Sequence, residues 1–334
     1  MDTSELNWSE QIWKDINDDV LKEVGKVRVA QKVFSTSVLE NDVTQIPNEV
    51  IDFGNMSVME GDTKPFVEIY REFSLTSTQV KQEANQKLGR MLARMAAKEI
   101  ALAEDAYFFQ LSDISEIIKK GNRNKDKGGC LVEVLKNKSM HIANWRTEKD
   151  FGLLGEANAP DATDTDSEKP SEPINVVPAV VPAVVPAVPA VPAVPAAGPA
   201  VAVAPRGPYG ENTFKAVTQG ISKLIAKAQA PPYALFLPTG VYADTFAPPS
   251  PASLVTTADR IKPLVEGGFY STAVLPANEG LLVALGGEPV KLFVGHEVKV
   301  EYMRKENSKF VFRVVERVQY IVRDPRSLVL LKFA

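Results

Sequence analysis

The chain has 334 residues, a formal net charge of −4, 45% apolar residues and 24% charged residues. Such totals belong to a chain that buries a core, and the small acidic balance argues against a general nucleic-acid binder. The single cysteine, Cys130, excludes an intrachain disulfide. The polar, acidic start Met1–Asn7 lacks the basic region and apolar run of a signal peptide. The expectation is a soluble cytoplasmic protein with no membrane span.

Residues 7–34 read as an amphipathic helix. Asn7 and Glu10 can form a capping box, and Ile12, Trp13, Ile16, Val20, Val24 and Val27 make one apolar face. Residues 47–76 read as a hairpin with its turn at Gly61-Asp62; Glu68, Tyr70, Arg71 and Glu72 leave it polar enough to need a partner. Residues 77–110 read as one long helix capped by Ser77 or Thr78, carrying a stripe that includes Leu88, Met91, Leu92, Met95 and Leu102. At 1.5 Å per residue it would span ~50 Å, the length of a spine.

Residues 111–155 are mixed, with a short basic run (Lys119, Lys120, Arg123, Lys125, Lys127) that reads as a solvated loop. Residues 156–208 differ in kind. Twelve of the 24 prolines lie here, behind an acidic lead-in, and Val177-Pro178-Ala179-Val180 repeats with small variations. Proline at every third or fourth position favours polyproline II; fully extended, residues 173–205 would reach ~100 Å. From residue 212 a globular pattern returns. Phe214, Val217, Ile221 and Leu224 mark a helix, and Tyr233–Leu237 a buried strand. A short helix follows at 241–246, then a proline loop at 247–251 and a helix at 259–266. Strands follow at 281–285, 290–294, 298–302, 310–322 and 328–333, with turns at Gly286-Gly287 and Glu306-Asn307. This order implies an α+β fold.

No catalytic constellation stands out. The two histidines, His141 and His296, share no ligand spacing with Cys130, and no P-loop, serine elbow or HExxH motif occurs. Glu104 and Asp105 are adjacent on the long helix, about 100° apart, and do not form an acid–base pair by themselves. No catalytic residue, metal ligand or cofactor is expected.

Three blocks together resemble the encapsulins, the nanocompartment shell proteins of the classical, linocin-like group. They are the opening helix Leu6–Phe34 with Trp13 and Ile16, the hairpin and helix closing on Ala101-Leu102-Ala103-Glu104-Asp105-Ala106-Tyr107-Phe108-Phe109, and the stretch from Pro232-Tyr233-Ala234-Leu235 to Lys332-Phe333. The last includes Val274-Leu275-Pro276, Val294-Gly295-His296-Glu297-Val298 and Asp324-Pro325-Arg326-Ser327-Leu328. The resemblance covers about two thirds of the chain. It implies the tailed-bacteriophage major capsid fold, with a peripheral domain, an axial domain and an extended loop; the composition of this chain adds a disordered Pro/Ala/Val-rich insertion. The implied divisions are an N-terminal helix and arm (1–46), the extended loop (47–76), the peripheral domain with its spine helix (77–155) and the insertion (156–208). A peripheral-domain helix (209–232), the axial domain (233–284) and a return to the peripheral domain (285–334) complete the chain.

The resemblance further implies self-assembly into a hollow icosahedral shell enclosing cargo enzymes of iron-storage or peroxidase type, each docked through a C-terminal peptide on the inner wall. Val24, Val29 and Val33, with Tyr320 opposite, are the docking residues it suggests. Pro248, Pro249, Ser250, Pro251, Ala252, Ser253 and Leu254 fall where the family lines its five-fold pore, and their lack of charge predicts weak charge selection. The chain departs from the family in its expanded 111–151 and in its proline-rich arm, which is expected to project outward. The alternatives are a phage or prophage major capsid protein, and a secreted bacteriocin or hydrolase.

Overall fold

The computed structural model describes residues 6, 8–40, 43–52, 55–109, 140–143, 152–157, 170–178, 209–248 and 254–334. The basic run of 119–127 and the repeats of 179–208 lie outside them.

The opening helix α1 spans Glu10–Val27, with Ile16, Val20 and Val24 on its buried stripe. Its cap is Ser9, whose hydroxyl accepts from the Ile12 amide; Asn7, the expected cap, is outside the described residues. The helix stops seven residues earlier than expected. Arg28 is extended, and a second short helix, α2, runs Ala30–Val33. The break is imposed from a distance: the Asp105 carboxylate accepts from the amides of Val29 and Ala30 at 2.8–3.0 Å and serves as the missing cap of α2.

After β1 (Ser35–Val38), strands β2 (Gln45–Asp52) and β3 (Ser57–Pro65) form a two-stranded ribbon. Its turn falls between Asp52 and Ser57, not at Gly61-Asp62. Gly61 lies inside β3 at a register shift, where an added Cβ would sit 3.0 Å from the Asn48 carbonyl oxygen. The glycine marks a close backbone approach at a bulge, which a turn signal resembles in sequence. The next strand, β4 (Val67–Thr76), leaves the ribbon and joins the main sheet.

The expected single spine helix is three pieces: α3 (Ser77–Lys81), α4 (Glu83–Gln86) and α5 (Leu88–Phe109). Thr76, not Ser77 or Thr78, caps the first through a capping box with Gln79. Lys87 takes a left-handed conformation, φ 53°. The buried Glu83 then accepts from the amides of Gly89 and Arg90 at 2.7 and 2.9 Å, recapping α5.

The first five-stranded sheet has the order β1-β10-β11-β4-β5, where β5 is Met140–Ala143, β10 Val290–Glu306 and β11 Lys309–Val322. The strands expected at 290–294 and 298–302 are one strand with bulges around His296. Asn307 and Ser308, both at positive φ, form the tight turn into β11. α1 and α5 cover one face of this sheet, where Trp8 stacks on Phe312 at 4.9 Å and Tyr320 meets Tyr107 and Phe108 edge-on.

The second sheet has the order β6-β12-β9-β7-β8, with β6 at Ile174–Val176, β7 Tyr233–Pro238, β8 Gly268–Thr272, β9 Glu279–Ala284 and β12 Leu328–Phe333. Along β7, Ala234 and Phe236 enter the large core shared with α5, while Tyr233, Leu235 and Leu237 enter a second core under the helix α7 (Gly210–Ala226). Burial on both faces explains the unbroken apolar run. Two short helices, α8 (Thr239–Asp244) and α9 (Thr257–Ile261), follow β7; a further one, α6, spans Gly152–Ala157.

Two expectations change here. The last strand, β12, does not return to the first sheet but pairs antiparallel with β9. Residues 170–178, counted within the insertion, are structured: Ile174 and Val176 bury themselves as β6, parallel to β12. The described residues on either side, up to 178 and from 209, meet at one place. Asn212 Nδ2 donates to the Val177 carbonyl at 2.8 Å, the Ala334 amide donates to Val176, and the Tyr209 hydroxyl donates to the Ala334 carbonyl while its ring packs edge-on against Phe333.

Candidate assembly and docking surfaces

The ribbon β2–β3 is rooted along β2, where the Ile51 amide donates to the Arg323 carbonyl at 3.5 Å. Ile46 joins Phe66 and Ile321 in a small core of their own, Gln319 Nε2 donates to the Pro65 carbonyl, and Arg323 pairs with Glu49 at 2.6 Å. Beyond that root the apolar side chains stand in solvent: Met56 is 85% exposed, Val58 61% and Met59 53%. Exposed apolar residues at the end of a two-stranded ribbon make it a candidate contact surface.

The four residues suggested for docking all belong to the large core or its edge. Val24 and Tyr320 are each 1% exposed, Val29 is buried, and only Val33 reaches the surface. Val24 faces inward because it continues the stripe of Ile16 and Val20. Tyr320 is fixed by accepting from the Gly152 amide at 3.0 Å. Around them, Leu21 on α1 and Met91 and Met95 on α5 are exposed. Leu21 lies one position off the buried stripe, a signal present in the helical pattern; the exposed Met pair was absorbed into the expected core stripe.

Of the suggested pore loop, Pro248 and Leu254 are described and exposed, Leu254 fully so, while 249–253 lie outside the described residues. The loop leaves from α8 and returns at α9, at the end of the second sheet. Aromatic contacts among Tyr242, Phe246 and Phe269 support its base.

The face of the first sheet away from α1 and α5 carries an open cleft of about 300 Å³ lined by Glu68, His296, Lys299, Glu301, Arg313 and Arg317. Its charges pair with one another: Arg313 meets Glu68 at 3.0 Å and Glu301 at 2.8 Å, and Lys299 meets Glu301 at 3.0 Å. Burial holds the His296 imidazole below its usual range. His296 is 4.0 Å from Glu301, an ion-pair geometry only when the ring is protonated. Among the described residues no three His, Cys, Asp or Glu side chains are placed to hold a metal, and no helix is long and apolar enough to cross a membrane.

Glu104 and Asp105, adjacent at the end of α5, are fully buried and diverge as the helical geometry requires. Asp105 caps α2. Glu104 faces β11, where Arg28 lies between it and Glu316, at 3.2 and 3.1 Å. Sequence shows neither partner, since Arg28 and Glu316 are far from Glu104 along the chain.

A family model described as "encapsulating protein for peroxidase" matches residues 199–319, about a third of the chain. Among curated proteins no sequence match was found. Among solved structures, the virus-like particle from Pyrococcus furiosus is similar over 97% of this chain and 100% of its own, at 14% identity and TM-score 0.58. The capsid of Myoviridae phage XM1 is similar over 92% of each chain, at 12% identity and TM-score 0.49. The holo-SrpI encapsulin complex from Synechococcus elongatus is similar over 99% of this chain and 93% of its own, at 9% identity and TM-score 0.48. The capsid fold and the resemblance read from the sequence are both borne out: this is a capsid-fold chain whose residues 199–319 match the encapsulating-protein family.

Proposed function

We propose that the chain is the repeating, non-catalytic subunit of a closed icosahedral shell that encloses cargo enzymes in the cytoplasm. The observation that carries this reading is the ribbon β2–β3. On a capsid fold, a hairpin rooted along one strand by a small core, the Arg323–Glu49 ion pair and hydrogen bonds from Gln319 and Ile51, with Met56, Val58 and Met59 in water, is completed by a neighbouring copy. A contact between unlike patches on identical copies closes into rings and then into a symmetric shell.

The cargo is of peroxidase or iron-storage type; the description of the matching family supports the former. Its C-terminal peptide docks beside the opening helix, with Val33 as the accessible residue and Val24, Val29 and Tyr320 as the packed floor behind it. An apolar peptide needs little more than such a surface. The loop Pro248–Leu254 lines the five-fold opening and, being uncharged, selects weakly for charge. The proline-rich arm projects outward.

Electron microscopy and light scattering of the purified full-length chain test this reading. Uniform hollow particles are expected. A monodisperse monomer would overturn it, and particles filled with nuclease-protected nucleic acid would assign the chain to genome packaging instead.

A further inference from the structure

The chain has seven methionines, and Met56, Met59, Met91 and Met95 are exposed. The first two stand three residues apart at the end of the ribbon β2–β3. The Asp52 carboxylate accepts there from the Asn55 amide at 3.2 Å and from Asn55 Nδ2 at 2.8 Å, which closes the turn. Met56 follows with φ 50°, a left-handed backbone whose ordinary occupant is glycine or asparagine. In register, Met59 lies opposite Val50 and Val58 opposite Ile51. Successive strand residues point to opposite faces, so Val58 and Met59 stand on the two sides of the tip.

The two thioethers differ from Val58 in their chemistry. A methionine sulfur takes up one oxygen, the sulfoxide is polar and chiral where the thioether was apolar, and reductases reverse the change. Met56 offers its sulfur to any oxidant in solution, being 85% exposed. The small core of Ile46, Phe66 and Ile321 lies at the root of the ribbon, so an oxygen added at the tip disturbs no packing inside the subunit. Its cost falls on whatever covers the tip, because a polar group buried without a hydrogen-bond partner is penalised. Met91 and Met95 are open to the same oxidant, one turn apart, but belong to α5 and not to the ribbon.

We propose that Met56 and Met59 form a reversible modification site: hydrogen peroxide converts them to sulfoxides, which holds a subunit out of assembly until they are reduced. The inference rests on the reading that the ribbon joins neighbouring copies. In the step, a sulfur lone pair attacks one peroxide oxygen. The S–O bond forms as the O–O bond breaks, and sulfur gives up two electrons to the peroxide. The proton of the transferred oxygen passes to the departing hydroxide, which leaves as water. Reversal consumes two thiols: they become a disulfide, and the sulfoxide oxygen leaves as water. A neighbouring copy seated on the tip shields both sulfurs, so the switch acts on free subunits and spares finished shells.

The test uses the full-length chain, hydrogen peroxide, peptide mass spectrometry and light scattering. In subunits kept dilute, below the concentration at which particles form, Met56 and Met59 should each gain one oxygen. In assembled particles under the same dose they should stay unmodified. The concentration needed for particles should rise by about tenfold or more after oxidation, as expected for a polar group carried into an apolar contact. Treatment with both classes of methionine sulfoxide reductase and a dithiol, one enzyme for each epimer, should restore it. Met56→Leu with Met59→Leu keeps apolar volume at the tip and should assemble alike before and after peroxide. Met91→Leu with Met95→Leu should stay as sensitive as the parent. Oxidised subunits that assemble at the parent's concentration overturn the switch, as does protection conferred by the α5 pair instead of the ribbon pair. A chain that forms no particles before any oxidant is added overturns the shell reading itself, and the switch with it.

Discussion

Replacing Glu83 by alanine tests how the spine is built. Glu83 is buried, and its two oxygens accept from the first amides of α5, Gly89 at 2.7 Å and Arg90 at 2.9 Å. Lys87 has turned left-handed, so α4 cannot run on and supply carbonyl acceptors to those amides. A hydrogen bond to a charged group contributes about 1.5–3 kcal/mol, and a carboxylate at a helix N-terminus adds up to about 1 kcal/mol. Water can replace part of this at the half-buried Arg90, which brings the expected loss to roughly 3 kcal/mol. For a domain of this size that is a fall of about 6 °C in the thermal midpoint. Unfolding should be followed by circular dichroism at one fixed chain concentration, because assembly makes the midpoint concentration-dependent. Glu83→Gln keeps one acceptor and should lose about half as much. A midpoint for Glu83→Ala within 1 °C of the parent would refute the claim that this side chain, and not the backbone, starts α5.

Gly220 on α7 lies against the second sheet, where an added Cβ would come within 2.6 Å of Leu282 Cδ2. Gly220→Val should therefore cost about 1–3 kcal/mol through forced repacking, read as a lowered denaturant midpoint. Burial pushes Asp105 up to about 7 against the hydrogen bonds from Ala30 and Val29. Between its ordinary value and pH 7 the folded chain holds a proton that the unfolded chain has released, so stability falls as pH rises through that window. Melts from pH 4 to 8 should show this decline, and Asp105→Asn should reduce it. Met56→Asp with Met59→Asp places charge on the ribbon's exposed face; particles should be lost by light scattering while the far-ultraviolet spectrum of the subunit is retained.

Local features of the fold were legible in the sequence because their causes are local. The stripe of Ile16, Val20 and Val24 gave α1, and the unbroken run Tyr233–Leu237 gave a strand buried on both faces. What escaped depended on contacts across the chain. Asp105 ends one helix and starts another 75 residues away, and Glu83 does the same for the spine after Lys87 reverses its backbone. Gly61 reads as a turn because glycine serves both turns and bulges; only the partner Asn48 distinguishes them. The site was half legible for the same reason. Glu68, Tyr70, Arg71 and Glu72, which suggested a hairpin in need of a partner, lie on β4 and pair with β11 and β5 within the chain; the apolar tip at Met56–Met59 and the burial of Val24 and Tyr320 required knowing where the ribbon ends and how α1 packs.

The knot of Val177, Tyr209, Asn212 and Ala334 alters what a proline-rich segment can be in this molecule. A segment fixed at one end is a leash, and a segment fixed at two distant ends is a strut. Here the residues on either side, Val177 and Tyr209, both stand on one edge of the second sheet, beside Asn212 and Phe333. The same geometry makes this edge a natural port: a sequence exchanged between 178 and 209 should leave the base beside Ala334 in its place.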